Sequence, residues 1–148
     1  MRGGAVWITE EKGIGDRFVR EELRPLVPDC CFFHCDLALA SACENLMQSI
    51  FEQLDDLDII INNAGVSQFC SLWEETAEHW DYVLNSNLRS IFLVSRDYMI
   101  NRRNKGYKER YGRIVNISST RSMMSEEGTE AYTASKGGVT ALTHALAV

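Results

Sequence analysis

Short apolar, β-branched runs alternate with longer segments of helical period along the chain, and this alternation constrains the fold more than any other feature. Ala5-Val6-Trp7-Ile8-Thr9 reads as a strand, and residues 16 to about 26 as a helix closed by Pro25 and Pro28. Residues 31–35 read as a second strand, and 41–54 as a helix with Leu46, Met47, Ile50 and Leu54 at core spacing. A third strand is expected at 57–62, a long helix at 76 to about 103, a fourth strand at 113–117 and a final helix at 131–148. Such alternation implies an α/β fold, a doubly wound parallel sheet covered on both faces. Ligands of such sheets bind beyond the carboxyl ends of the strands. The polar residues just past those ends are Lys12-Gly13-Ile14-Gly15, Asp36, Asn63-Ala64-Gly65 and Ser118-Ser119, and all are expected to face one crevice.

The 148 residues suit one domain with a real core, and we expect 1–148 to be a single unit. No apolar run nears the roughly 18 residues that span a bilayer. Met1-Arg2-Gly3-Gly4 leads straight into an apolar strand without a signal-peptide pattern, so a cytoplasmic location is expected. The net charge of −6 argues against nucleic acid as a partner. The basic run from Arg102 to Arg113 reads as a solvated helix end and loop. Cys30, Cys31, Cys35, Cys43 and Cys70 show no Cys-x-x-Cys spacing and read as buried free thiols in a reducing compartment. His34, His79 and His144 are scattered, so no metal site is expected.

Tyr132 and Lys136 lie four residues apart, on one face of the last helix. A free tyrosine has a pKa near 10. Proton exchange near neutral pH needs the phenolate favoured by about 3 units, or about 4 kcal/mol, and a neighbouring ammonium supplies such a bias. Taken alone, a Tyr-x-x-x-Lys pair is common on helix faces.

Its surroundings are not common. Asn62-Asn63-Ala64-Gly65, Asn85-Ser86-Asn87-Leu88 and Gly112-Arg113-Ile114-Val115-Asn116-Ile117-Ser118-Ser119 precede it in order, with Ser119 13 residues before Tyr132. Together these resemble the short-chain dehydrogenase/reductase family, of the 3-oxoacyl reductase kind. The resemblance covers residues 31–148 well and 5–30 in part. It implies an NAD(P)-binding Rossmann-like sheet and hydride transfer between the cofactor and a secondary alcohol or ketone. It also implies that Tyr132 is the general acid and base, that Lys136 lowers its pKa and holds the nicotinamide ribose, and that Ser119 bonds the substrate oxygen. Asn87 would hold a relay water. Thr9, Lys12, Gly13, Ile14, Gly15, Asn63, Ala64 and Gly65 would line the cofactor, and Asp36 and Leu37 would flank its adenine, an N-cap being the competing reading for Asp36. Homodimers or homotetramers through the helices at 76–103 and 131–148 are implied too.

Three departures qualify this. The family's Thr-Gly-x-x-x-Gly-x-Gly loop is here Thr9-Glu10-Glu11-Lys12-Gly13-Ile14-Gly15, one residue short and without its first glycine. Glu10 and Glu11 would repel a pyrophosphate that glycine backbone at a helix N-terminus should cradle. Lys12 offsets part of this and tilts the expectation towards NADP. Residues 16–31 have room for one crossover, so the strand that selects between NAD and NADP is expected to be absent. The chain also stops inside the Tyr132 helix, so the sheet is expected to be incomplete. The alternative reading is a non-catalytic scaffold with impaired cofactor binding.

Overall fold

The computed structural model describes residues 6–9, 12–107 and 111–148, with only the backbone described for 6–9 and 12–14. Two compact units divide the chain, Met1–Leu37 and Ala38–Val148.

In the first unit, β1 (Val6–Thr9) leads into α1 (Lys12–Phe18), which continues as a π-helical turn, Val19–Leu23. β2 (Cys31–His34) then pairs in parallel with β1, Val6 opposite Cys31 and Thr9 opposite His34. A single crossover therefore joins adjacent strands, as the short interval demands. Lys12-Gly13-Ile14-Gly15 was expected to be a loop, and the helix to start at Asp16. Instead these four residues form the first turn of α1. Only residues 10 and 11 separate β1 from α1, too few for the extended loop.

The second unit runs α2 (Ala40–Gln53), β3 (Ile59–Asn62), α3 (Ala77–Leu84), a π-helical turn (Asn85–Arg89), α4 (Ser90–Asn104), β4 (Arg113–Asn116), a 3-10 turn (Thr120–Ser122) and α5 (Glu130–Leu146). β3 and β4 are parallel, Ile59 opposite Arg113 and Asn62 opposite Asn116. α2 packs on α4, burying Cys43, Leu46, Met47 and Ile50, the stripe its period predicts. α3 and the π turn pack on α5, and Val83 and Val139 are fully buried there. Each such side chain contributes about 1.5–3 kcal/mol of burial. Gly138 permits this approach, since a Cβ there would stand 2.5 Å from Leu88 Cδ2.

The helix expected at 76–103 is not continuous. Thr76 caps it, accepting from His79 N at 3.1 Å. The π turn then interrupts it, with Ser90 N–H donating to Asn85 O, one residue further back than in an α-helix. The extra residue per turn belongs to the stretch that buries Ser86 and Asn87.

Arg102 overturns the expectation of a solvated basic run. It is 7% exposed. Its guanidinium pairs with Asp56 at 3.1 Å and donates to Leu57 O and Tyr111 O, both at 3.0 Å. Tyr98 accepts from Arg102 Nη1 at 2.9 Å and donates to Leu57 O at 3.0 Å. Gly112 passes against this group, where a Cβ would lie 2.5 Å from the Tyr98 hydroxyl. Burial raises the Tyr98 pKa, and Arg102 works against that rise. Arg103 and Arg113, by contrast, are exposed.

The cysteines are free; Cys30, Cys35 and Cys43 are buried as expected, while Cys31 and Cys70 are only partly buried. No helix among the described residues is long and apolar enough to cross a membrane. On one face of the β3–β4 pair, Ile59, Ile61, Val115 and Ile117 are exposed. Parallel sheets bury both faces, so this pair carries one uncovered half.

Candidate active site

Three elements of the second unit converge on the end of β3. The first is the strand end itself: Asn63, Ala64 and Gly65 leave β3 as exposed backbone. The second is the π turn, which presents Asn87 with no exposed surface. Asn87 Oδ1 accepts from Val66 N at 2.7 Å, and its Nδ2 donates to Val66 O at 2.9 Å. The amide thus clamps the backbone of the loop after β3 as a neighbouring strand would. The third is α5. Asn87 Nδ2 also donates to Ser135 Oγ at 3.1 Å, and Ser135 Oγ donates to Tyr132 O at 2.7 Å.

Lys136, 5% exposed, reaches from α5 to the end of β4, its Nζ donating to Ile117 O at 3.0 Å. The same Nζ lies 5.7 Å from the centre of the Tyr132 ring. A Cβ on Gly65 would come within 3.0 Å of Asn87 Oδ1 and 3.6 Å of Lys136 Nζ, so the missing side chain is what keeps this corner open. Tyr132 is half-buried, and Phe69 packs edge-on against its ring at 5.9 Å and 72°.

The two serines after β4 divide. Ser118 Oγ is held by α5, donating to Lys136 O at 3.0 Å and pairing with Thr140 Oγ1 at 3.1 Å. Ser119 Oγ accepts from Arg121 N at 3.2 Å as the cap of the 3-10 turn, which leaves its proton available to an incoming acceptor. The structure therefore separates a packing serine from one with a spare donor.

The remaining candidates lie in the first unit. Thr9 ends β1, Lys12, Gly13, Ile14 and Gly15 open α1, Asp36 is exposed and Leu37 is 7% exposed. The N-cap reading of Asp36 fails, since Leu39 precedes α2 and Asp36 lies three residues earlier still.

Sequence reasoning missed Ser135, Phe69 and an amide ladder. Asn62 Nδ2 donates to Asn116 Oδ1 at 2.8 Å, and Asn116 Nδ2 donates to Thr143 Oγ1 at 2.9 Å. The one available signal was an asparagine at the same point of two apolar strands. Cys70, Glu75 and His79, which show no ligand spacing along the chain, come together with ligand-capable atoms within 4.8 Å of one another.

Burial lowers the Lys136 pKa from its ordinary 10.5. The folded chain therefore binds fewer protons than the unfolded chain between that lowered value and 10.5, and this group adds stability as pH rises through that window. Below the window both states are protonated and the cost of the buried ammonium is fully present. In urea titrations, the stability difference between wild type and Lys136→Met should move in favour of wild type as pH approaches 10.5 from below. A difference independent of pH would show that Lys136 is no more desolvated than in the unfolded chain. Asn87→Ala should cost about 2–4 kcal/mol, because it strands both polar groups of Val66 and removes the donor to Ser135 Oγ. Thermal or urea unfolding reads that loss, and a change under 1 kcal/mol would mean that water replaces the amide at about no cost.

Residues 4–148 match the family profile of short chain dehydrogenases. An uncharacterized oxidoreductase of Thermotoga maritima is 39% identical over 145 residues, 95% of this chain and 52% of that protein. An acetoacetyl-CoA reductase of Allochromatium vinosum is 32% identical over 80% of this chain and 47% of its own length. Among solved structures, a putative gluconate dehydrogenase from Agrobacterium tumefaciens superposes with a TM-score of 0.84 at 29% identity, over 96% of this chain and 54% of that one. A metagenomic short-chain oxidoreductase in complex with NADP gives a TM-score of 0.84 at 25% identity, over 95% of this chain and 62% of that one. The chain thus spans about half the length of the curated relatives it matches. The Rossmann-like α/β fold of these structures, part of it present here, and the match over nearly all residues agree: the chain belongs to the short-chain dehydrogenase family.

Proposed function

We propose that this chain forms the catalytic part of an NAD(P)-dependent oxidoreductase that interconverts a secondary alcohol and a ketone of the 3-oxoacyl kind. The observation that carries the proposal is the convergence of Gly65, Asn87 and Lys136 beside Tyr132. The nicotinamide cofactor, when bound, supplies or accepts the hydride. The corner fits such a group, because Gly65 leaves space beside an ammonium that uses one of its three protons on Ile117 O. The other two protons are available to ribose hydroxyls.

In this reading Tyr132 gives its hydroxyl proton to the carbonyl oxygen in reduction and takes it back in oxidation. Ser119 donates its spare proton to the same oxygen and orients it. Lys136 sets its ammonium beside the Tyr132 ring, Nζ 5.7 Å from the ring centre. Asn87 works through its grip on Val66, holding the strand-end loop against α5, and a relay water would have to share an amide already engaged on both ends. Thr9, Lys12, Gly13, Ile14, Gly15, Asp36, Leu37, Asn63 and Ala64 are proposed to line the rest of the cofactor. NADP is the preferred form, supported by Lys12 and by the NADP held by one structural relative. An acetoacetyl-CoA reductase among the relatives supports the 3-oxoacyl class. Pairing of copies through α3–α4 and α5 belongs to the same proposal.

The test is a fluorescence titration with NADPH and NADH, followed by cofactor oxidation with a ketone panel that includes a 3-oxoacyl thioester. Binding of NADPH ahead of NADH, with turnover of the thioester, is the expected result. Absence of cofactor binding would overturn the proposal in favour of a non-catalytic scaffold.

A further inference from the structure

The loop between β3 and α3 folds back onto the start of α5. Cys70 N donates to Gly128 O at 3.0 Å. Gly128 has a φ of 74°, and a Cβ there would stand 3.3 Å from Cys70 O, so the approach depends on glycine twice. This fold-back sets the Cys70 thiol beside Glu75 and His79, which lie four residues apart around the Thr76 cap and contact each other directly. The side chains of His79 and Glu75 are 22% and 10% exposed, so the group is sheltered yet reachable.

A further observation points to a cation. Glu130 Oε2 is buried and has no hydrogen-bond partner among the described residues. A buried carboxylate oxygen without a donor is costly unless positive charge lies nearby. A hydrogen bond between His79 and Glu75 accounts for two of the residues but leaves Cys70 without a role.

We propose that Cys70, Glu75 and His79 bind a zinc-class divalent cation, with the fourth position open to water. One sulfur, one imidazole nitrogen and one carboxylate oxygen are donors that favour Zn²⁺ over Mg²⁺ or Ca²⁺. Bonds of about 2.0–2.3 Å in a tetrahedron separate ligand atoms by roughly 3.3–3.8 Å, so Cys70 Sγ needs at most about 1.5 Å of closure, while the His79–Glu75 contact has to open to admit the ion. The ion would pin the β3–α3 loop to the first turn of α3. Phe69, adjacent to Cys70, packs on the Tyr132 ring, so the ion also steadies the wall of the candidate site. The inference does not depend on the oxidoreductase reading, because metal binding is measured without cofactor or substrate.

The chain stripped of metal is titrated with Zn²⁺ against a chromophoric chelator, and separately with Co²⁺ as a spectroscopic probe. One Zn²⁺ per chain is expected, together with a thiolate-to-cobalt charge-transfer band in the near ultraviolet. Cys70→Ser and His79→Gln should each weaken Zn²⁺ by at least about tenfold, the effect of losing even an outer partner of a ligand. Cys31→Ser, another partly exposed thiol, should change nothing. Zn²⁺ should raise the Tm of wild type and not that of Cys70→Ser. Zinc binding that survives both ligand variants, or a cobalt spectrum without the thiolate band, would overturn the proposal. The cobalt band is read on wild type alone, so the test stands even where a variant does not fold.

Discussion

Tyr132→Phe is expected to lower kcat/KM for ketone reduction by roughly 10²–10⁴-fold, about 2.7–5.5 kcal/mol of transition-state stabilisation. The substitution removes one oxygen. The edge-on contact with Phe69 and the approach of Lys136 Nζ both involve the ring, which phenylalanine keeps. Fold and cofactor affinity should therefore change little, and the loss should fall on the chemical step. Steady-state rates with NADPH, paired with a cofactor titration of both proteins, separate the two. Equal rates in wild type and variant would remove Tyr132 from the proposed proton transfer while leaving family membership untouched. A large rise in KM with unchanged kcat would instead make Tyr132 a binding residue.

Arg102→Ala should cost about 3–5 kcal/mol of stability, the penalty for leaving one half of a buried ion pair behind. Asp56 keeps its charge with a side chain only 9% exposed. Leu57 O and Tyr111 O lose a charged donor at the same time. These acceptors lie on two separate stretches, so Arg102 ties the end of α4 to the entry of β3 and the entry of β4. Small domains hold about 5–15 kcal/mol in total, so the loss is a large share. It should appear as a lower urea midpoint at an unchanged slope. A shift below about 1 kcal/mol would show that Asp56 is hydrated once Arg102 is gone. Arg102→Met tests the same point differently, because it restores volume but not charge and should still be strongly destabilised.

Arg102 also marks where reading the chain alone stops. It sits in a run of basic residues at a helix end, and such runs are usually solvated. Its burial comes from Asp56, 46 positions earlier, and from the backbone of Leu57 and Tyr111. Nothing in local period reports a partner so distant. The π turn is a second case. The apolar spacing from 76 to 103 fits one continuous helix, yet Asn87 faces Val66 and Ser135 at separations of 21 and 48 residues. Those bonds come with a turn that is locally underwound, holding one residue more than an α-helical turn. Cys70, Glu75 and His79 are a third case, since their meeting depends on Gly128 allowing the loop to turn back.

Other features were legible because their cause is local. The period-3.6 stripe of α2 names its own buried residues. The short interval after residue 15 forces a single crossover, and β1 and β2 are indeed direct neighbours. The order of the four motifs points to the family without any coordinates, and the profile match over residues 4–148 agrees.

The chain itself therefore determined the parallel α/β plan, the shortened first crossover and the placing of Tyr132 and Lys136 on one helical face. These follow from spacings of a few residues, which backbone geometry converts directly into position. Only the tertiary structure decided that Lys136 reaches the Ile117 carbonyl, that Asn87 holds the strand-end loop and that Ser118 and Ser119 part ways. Each of those outcomes is a choice among hydrogen-bond partners brought close by packing. Once water is excluded, the nearest complementary group is taken, however far away it lies in the sequence.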